Sequence, residues 1–366
     1  MKITGGAVFC SDKTLKIKDL CFENGVITEN SENGEFNASG CYVLPGFIDT
    51  HNHGAFGTEF SSPDQDFSVG LDKLCTLGVT AVLATTRSLF EEELYAAARN
   101  IKKQNDERVL GIHMEGPFVN PARIGAMNRQ KLRNPDINVI KKFQKESGGM
   151  LKIVSLAPET ENGFETVKYC AENGITVSMA HTDATFEQAE KAHSLGATRL
   201  THTYNGMRPF THRDPGVLGY ALTTPEIQCE LICDLYHVSS AAIKVAVKCK
   251  GTGNITMISD SGVFAGLGDG EYIVDGRVRY VKDGLCLADD KKTIAGSTKT
   301  LYDGVKNMFS LGFSPAEIAV MASLNPARAC GDTTRGSLDT GKRADIVVLD
   351  KNFDITAVFY GGERIV

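Results

Sequence analysis

The sequence predicts an α/β fold: a TIM-type (β/α)8 barrel carrying a small β-sandwich built from both chain ends. Three observations predict it. Apolar strand patterns alternate with amphipathic helix patterns through residues 46–334. The flanking segments, 1–45 and 335–366, read as short strands punctuated by Gly and Asn. Several apolar strands of the middle segment stop on His, Glu or Asp, as they do where a parallel barrel builds a site at its C-terminal rim. The expected division is therefore a discontinuous sandwich domain, 1–45 plus 335–366, with a barrel domain, 46–334, inserted into it.

Composition narrows the class. The 366 residues are 42% hydrophobic and 23% charged, values of a globular chain large enough for a barrel and a smaller domain. No apolar run reaches the ~18 residues of a membrane span, so no membrane partner is expected. The net charge of −6 argues against a nucleic-acid surface, while an anionic small molecule would need a local cluster of donors. Met1 to Gly6 has no apolar core of a secretion signal, and the ten cysteines are spread singly with no C-x-x-C pair. They read as reduced, mostly buried thiols of a cytoplasmic protein.

At the N-terminus, Ile3 to Phe9, Leu15 to Leu20 and Gly25-Val26-Ile27 read as strands, with hairpin turns at Asn24-Gly25 and Asn33-Gly34. The stretch Pro45-Gly46-Phe47-Ile48-Asp49-Thr50-His51-Asn52-His53-Gly54 reads as a strand opened by Pro and closed by Gly. Helix patterns at 67–77, 91–103, 165–173, 185–195 and 239–248 alternate with strands at 79–84, 109–115, 151–156, 175–181, 197–202, 229–234 and 255–260. Strands at 343–350 and 355–360 close the chain.

The strand ends carry the chemistry. His51 and His53 alternate with Asn52, so both side chains point to one face. Later strands end in Glu115, His181, His202 and Asp260, and a barrel brings all of them to one rim. Four imidazoles and a carboxylate suit a first-row divalent metal, Zn, Fe, Mn or Co, and one Glu can bridge two ions. Asp260 is either a further ligand or the base that takes a proton from metal-activated water and returns it to a leaving amine. His113 shares the face of Glu115 and is read as a supporting or core residue, and His193 as a surface histidine. His237 follows a strand end and is either a helix N-terminal histidine or a donor to a carbonyl oxygen. The loop carrying Arg208, His212 and Arg213 is a candidate phosphate handle. The Gly-rich segment 261–270 lacks the Lys of a P-loop and is read as a mobile loop beside Asp260.

These stretches resemble the N-acetylglucosamine-6-phosphate deacetylases of the amidohydrolase superfamily. The resemblance rests on Pro45-Gly46-Phe47-Ile48-Asp49 with His51 and His53, His113-Met114-Glu115-Gly116-Pro117-Phe118, Ala180-His181, Thr201-His202 with Tyr204-Asn205, Asp260 with Asp269-Gly270-Glu271-Tyr272, Ala295-Gly296-Ser297, Asn325-Pro326-Ala327-Arg328-Ala329 and Gly341-Lys342-Arg343-Ala344-Asp345. It implies that Glu115, His181 and His202 hold the main metal, that Asp260 is the general acid/base, and that His237 polarises the acetamide carbonyl. Asn205, the Gly206 backbone and Arg213 would take the phosphate. The His51/His53 pair favours a second ion bridged by Glu115, giving one or two metals per chain. The resemblance further implies a homodimer whose neighbouring subunit helps close the site. Metal-bound hydroxide, oriented by Asp260, would attack the acetyl carbonyl, releasing acetate and the amino-sugar phosphate.

One position departs from the family pattern. Met127 stands where members often carry a His or Gln that contacts the sugar, and a thioether cannot make that hydrogen bond. This keeps a deacetylase for the galacto epimer as a rival, beside a cyclic-amide hydrolase and a non-catalytic scaffold on the same barrel.

Overall fold

The computed structural model describes residues 1–366 apart from 32, 33, 275, 289 and 291. The turn expected at Asn33-Gly34 therefore lies partly outside the described residues. An eight-stranded parallel sheet runs in chain order. Its strands are β1 (Phe47–Asn52), β2 (Val79–Thr86), β3 (Val109–Glu115), β4 (Leu151–Leu156), β5 (Thr176–Met179), β6 (Ala197–Leu200), β7 (Gln228–Ile232) and β8 (Ile255–Ile258). The helices that follow them are α1 (Ser68–Thr76), α2 (Glu91–Gln104), α3 (Ile137–Glu146), α4 (Gly163–Glu172), α5 (Phe186–Ser194), α6 (Gly216–Thr223), α7 (Ser240–Lys250) and α8 (Leu301–Ser310).

The sheet curls until β8 meets β1 at the C-terminal end. There Asp260 N–H donates to His51 O at 2.9 Å, and His53 N–H to Ser261 O at 2.9 Å. Buried Asp49 staples the same seam: its carboxylate accepts from Ser259 Oγ at 2.5 Å, Ser259 N at 3.2 Å and Asn52 Nδ2 at 3.0 Å. The N-terminal end is plugged. Ala327 and Cys330 of the helix Asn325–Cys330 pack on Ile48, Ala81, Leu83 and Ile153 inside the barrel. Asn325 Nδ2 donates to the carbonyls of Thr252 and Ile255 at 2.7 Å, satisfying the start of β8. With one end stoppered, a ligand can enter at the other.

Two further sheets are built from the chain ends, a four-stranded one from N-terminal strands alone and a six-stranded one from strands of both ends. Ile346 pairs with Pro45 and Val348 with Val43, so the last strands lie directly against the first. Ile3, Val8, Phe22, Val43, Ile346 and Phe359 share their core. The hairpin at Asn24-Gly25 is present, with φ of +49° and +78°, the pair of left-handed residues a type I′ turn requires. The expected strand 3–9 is two strands, Lys2–Thr4 and Ala7–Phe9, in different sheets. Gly5, at φ +70°, turns the chain between them. Likewise Pro45 ends a sandwich strand, and Gly46 N–H bonds Asp345 O at 2.8 Å before β1 begins at Phe47.

A third, antiparallel sheet overhangs the open end: Gly270–Val274, Arg277–Lys282 and Leu285–Leu287. Asp283-Gly284 joins its last two strands with φ of +52° and +79°. The Gly-rich segment before it is tied down, since Phe56 N–H bonds Ala265 O and Gly57 N–H bonds Val263 O, each at 2.8 Å. No helix among the described residues is long and apolar enough to cross a membrane. All ten cysteines are free thiols, and Cys249 alone is exposed.

Candidate active site

Side chains converge where the strands end. His51 and Glu115 are the last residues but one and the last of β1 and β3. His181, His202 and Asp260 each lie two residues past a strand, beyond β5, β6 and β8, and not on the strands as expected. All three have left-handed backbone, φ +43°, +29° and +50°, which ends the strand pairing and redirects the side chain.

The imidazole Nε2 atoms gather around Glu115. Its Oε1 lies 3.0 Å from His202 Nε2, 3.3 Å from His181 Nε2 and 3.6 Å from His51 Nε2. Its Oε2 lies 3.2 Å from His53 Nε2. Asp260 Oδ1 lies 3.4 Å from His51 Nε2 and 3.3 Å from His53 Nε2. Three trios among the described residues are close enough to hold an ion: His51–His53–Asp260 and Glu115–His181–His202, with Glu115 touching both, and His51–His113–Glu230 behind them.

The opposite ring edges fix which nitrogen faces the centre. His51 Nδ1 is 3.0 Å from Glu230 Oε2, His53 Nδ1 is 3.2 Å from Thr85 O, and His181 Nδ1 is 2.8 Å from Arg123 O. Carbonyls and carboxylates only accept, so each Nδ1 carries a proton and donates it. The Nε2 lone pairs are thereby aimed inward, at one another and at carboxylate oxygens. Such a set of acceptors is unstable without positive charge between them. His51 Nε2 and His202 Nδ1 are buried with no hydrogen-bond partner among the described residues. Burial alone would hold His51 neutral, but Asp260 and Glu115 raise its pKa well above the ordinary value. His53 is pushed up to about 9 by the same carboxylates against the opposing effect of burial. The donor set thus fits a divalent cation, and the outer partners are those that orient metal-binding histidines.

Asp260 is an ionised base. Burial would raise its pKa, but His51 and His53 hold it below the usual carboxylate range. His237 Nδ1 donates to Asp234 Oδ2 at 2.7 Å, and Asp234 is itself fixed by Ser297 Oγ at 3.0 Å and the N–H groups of Tyr236 and His237 at 2.9 Å. Asp234 raises the His237 pKa against burial, which favours a proton on Nε2 as well.

Glu115, His181, His202, His237 and Asp260 line a cavity of about 410 Å³ with His53, Met127, Asn205 and Gly206. The backbone at Gly206 runs tight against the site: a Cβ there would lie 2.8 Å from His181 Nδ1. Arg213 and His212 are exposed and do not line the cavity. Arg208 is spent on Asp183 and Asp214, at 3.1 and 2.7 Å. His113 is buried and neutral, its pKa lowered to about 3 by burial. Its Nδ1 donates to Thr50 O at 3.0 Å, so its Nε2 accepts from Ser155 Oγ at 2.7 Å and is unavailable as a ligand. His193 is half-buried against Tyr220 Oη at 2.7 Å, not a free surface residue.

Sequence reasoning missed Asp234, Glu230 and Arg199. The last two form a buried ion pair at 3.2 Å inside the barrel, behind His51. A signal existed: a Glu inside the apolar run Cys229-Glu230-Leu231-Ile232 needs a partner.

The sequence profile of the Amidohydrolase family matches residues 42–365. The chain belongs to the amidohydrolase family. It is similar to an N-acetylglucosamine-6-phosphate deacetylase of Lysinibacillus sphaericus, 38% identical over 326 residues, 87% of this chain and 84% of that one. It is also similar to an N-acetylgalactosamine-6-phosphate deacetylase of Escherichia coli O157:H7, 34% identical over 88% of this chain and 87% of that one. A crystal structure of the Mycobacterium smegmatis N-acetyl-D-glucosamine-6-phosphate deacetylase, a mutant in complex with N-acetyl-D-glucosamine-6-phosphate, matches 100% of this amidohydrolase and 99% of that chain, with 28% identity and a TM-score of 0.93. The amidohydrolase is therefore a metal-dependent hydrolase with a divalent-metal site on the rim of its barrel.

Proposed function

We propose that this amidohydrolase removes the acetyl group of N-acetylglucosamine 6-phosphate, giving acetate and glucosamine 6-phosphate. The observation that supports it is the convergence, at the floor of one cavity, of two trios able to hold a metal, an ionised Asp260 and His237. Glu115, His181 and His202 would hold one cation, and His51 and His53 with Glu115 or Asp260 a second; Zn, Fe, Mn and Co all suit these ligands. A divalent cation in this position supplies Lewis acidity toward a carbonyl and toward a water molecule. Asp260 takes the proton of the attacking water and delivers it to the departing amine nitrogen. The Nε2–H of His237 donates to the acetamide oxygen as negative charge builds there, and Asp234 keeps that proton in place. Asn205 and the Gly206 backbone receive the phosphate, and Met127 faces the sugar. We take the barrel, 46–334, as the catalytic domain and the sandwich, 1–45 with 335–366, as its support, in a cytoplasmic homodimer.

The test is one sample with two readings, metal per chain and acetate release. Release from the gluco phosphate with close to two metals per chain supports the reading with a working His51/His53 site. Release with one metal makes that pair dispensable. Bound metal with no acetate from this sugar refutes the substrate assignment. The galacto epimer is the second reading, because Met127 offers no hydrogen bond to the sugar and the chain is 34% identical to an N-acetylgalactosamine-6-phosphate deacetylase, and the same assay on that epimer decides between them.

A further inference from the structure

The segment that returns from the overhanging sheet reaches both groups that act on the acetamide in the reading above. Ala295 N–H donates to Cys286 O at 2.9 Å, which holds the segment to that sheet. Ala295 and Gly296 line the cavity. Ser297 comes next and pairs in parallel with Ser261, one residue past Asp260. It is 1% exposed, and its hydroxyl meets Asp234 instead of the cavity.

Ser297 is bonded toward both the base and the donor. Its N–H donates to Asp260 O at 2.9 Å, on the residue whose carboxylate carries the proton. Its Oγ accepts from Lys299 N–H at 3.1 Å, which leaves its own proton for Asp234 Oδ2 at 3.0 Å. The same Oδ2 accepts from His237 Nδ1 at 2.7 Å. Asp234 Oδ1 accepts from the N–H groups of Tyr236 and His237, each at 2.9 Å. Those last bonds lie within one short loop, 234–237, and fix His237 relative to Asp234 alone. The hydroxyl of Ser297 ties that loop to the backbone of Asp260. The path from base to donor runs Asp260, Ser297, Asp234, His237.

We propose that Ser297 is a positioning residue that sets the separation between His237 and Asp260 across the scissile acetamide. It touches neither the cavity nor a reacting atom, and acts through Asp234. A donor and a base must meet one carbonyl group from fixed places, and a small misplacement of either is felt in the rate. This rests on the roles given to His237 and Asp260 above.

The experiment places Ser297→Ala in wild type and in His237→Asn, and measures kcat and KM for N-acetylglucosamine 6-phosphate together with metal per chain. In wild type the change should lower kcat by roughly 10- to 100-fold, the worth of a hydrogen bond to a charged group, with KM and metal content little moved. In His237→Asn the same change should alter kcat by less than about 2-fold, because the group it positions is already gone. An unchanged kcat in wild type, or an equal fall in both backgrounds, would overturn the proposal. Should the alanine variant not fold, Ser297→Cys, which keeps a weak donor of similar shape, replaces it with the same outcomes. Should wild type release no acetate from this sugar, the functional reading fails by itself. Proton NMR of the His237 Nδ1–H, identified by its absence in His237→Asn, then decides: faster exchange with water in Ser297→Ala supports the positioning role, and unchanged exchange overturns it.

Discussion

Glu230→Gln separates what the carboxylate behind His51 does for the fold from what it does for the site. Glu230 is fully buried, accepting from His51 Nδ1 at 3.0 Å and from Arg199 Nη2 at 3.2 Å. Burial would raise its pKa, but His51 and Arg199 hold it far below the ordinary carboxylate range, so the native group is charged. Gln keeps the volume and one accepting oxygen for Arg199, but removes the negative charge and turns an NH2 toward His51. Taking one partner from a buried ion pair costs about 3–5 kcal/mol, so the metal-free variant should lose about 3 kcal/mol of unfolding free energy. The NH2 also forces His51 to accept at Nδ1, which moves its proton to Nε2 and removes the inward lone pair. Losing such an orienting partner weakens metal affinity by roughly 10–100-fold. Urea unfolding of the chelated protein gives the first quantity and metal titration the second. A variant within about 0.5 kcal/mol of wild type, with undiminished metal affinity, would refute the claim that Glu230 sets the orientation of His51.

Other consequences can be checked in parallel. Asp260→Asn should bind the divalent metal and fold normally while turnover falls by roughly 10²–10⁴, and normal turnover would dismiss Asp260 as the proton carrier. In metal-free protein, His53 has a pKa of about 9, above its unfolded value near 6.5. Its contribution to stability is therefore complete below that lower value and lost as pH rises through about 9, so the metal-free melting temperature should fall over that window and metal should flatten the profile. A flat metal-free profile would count against the raised imidazole. Gly46→Ala should destabilise by about 1–3 kcal/mol in urea unfolding, since overpacking a core forces shifts of that size. The new methyl would lie 2.2 Å from Thr80 Oγ1 and 2.9 Å from Thr80 Cβ, which no rotation of Thr80 relieves. An unchanged unfolding free energy would show that the start of β1 yields.

Much of the barrel was legible because its strands are apolar runs of the right length. Val109–Glu115 and Leu151–Leu156 match the sequence reading residue for residue. The helix α6 gave no period because Val217, Leu218, Tyr220 and Ala221 are all buried, and a helix apolar on every side hides its repeat. Helix α3 did carry a signal, an Asp136 N-cap bonded to Asn138 N ahead of Val139, Ile140 and Phe143, which the strand–helix rhythm overshadowed. In the site, the residues His51, His53, Glu115, His181, His202 and Asp260 stood out at strand ends. Their orienting partners did not, because Glu230, Thr85 O and Arg123 O are neighbours only in three dimensions. Arg277 and Arg279 of the overhanging hairpin were unreadable for the same reason: alternation gives them a common face, but only the folded sheet says that the face lines the cavity.

The left-handed backbone at His181, His202 and Asp260 has an evolutionary edge. These are conformations that glycine adopts freely and that a branched or bulky residue resists, by roughly 1–2 kcal/mol apiece. A library of this protein selected for heat resistance in the absence of metal would find relief by placing Gly or Asn at these three positions. Each such winner would be sturdier and inert. Selection for stability and selection for turnover therefore pull in opposite directions at these residues, and a stabilising campaign on this scaffold should hold all three fixed and search the sandwich and the outer helices instead.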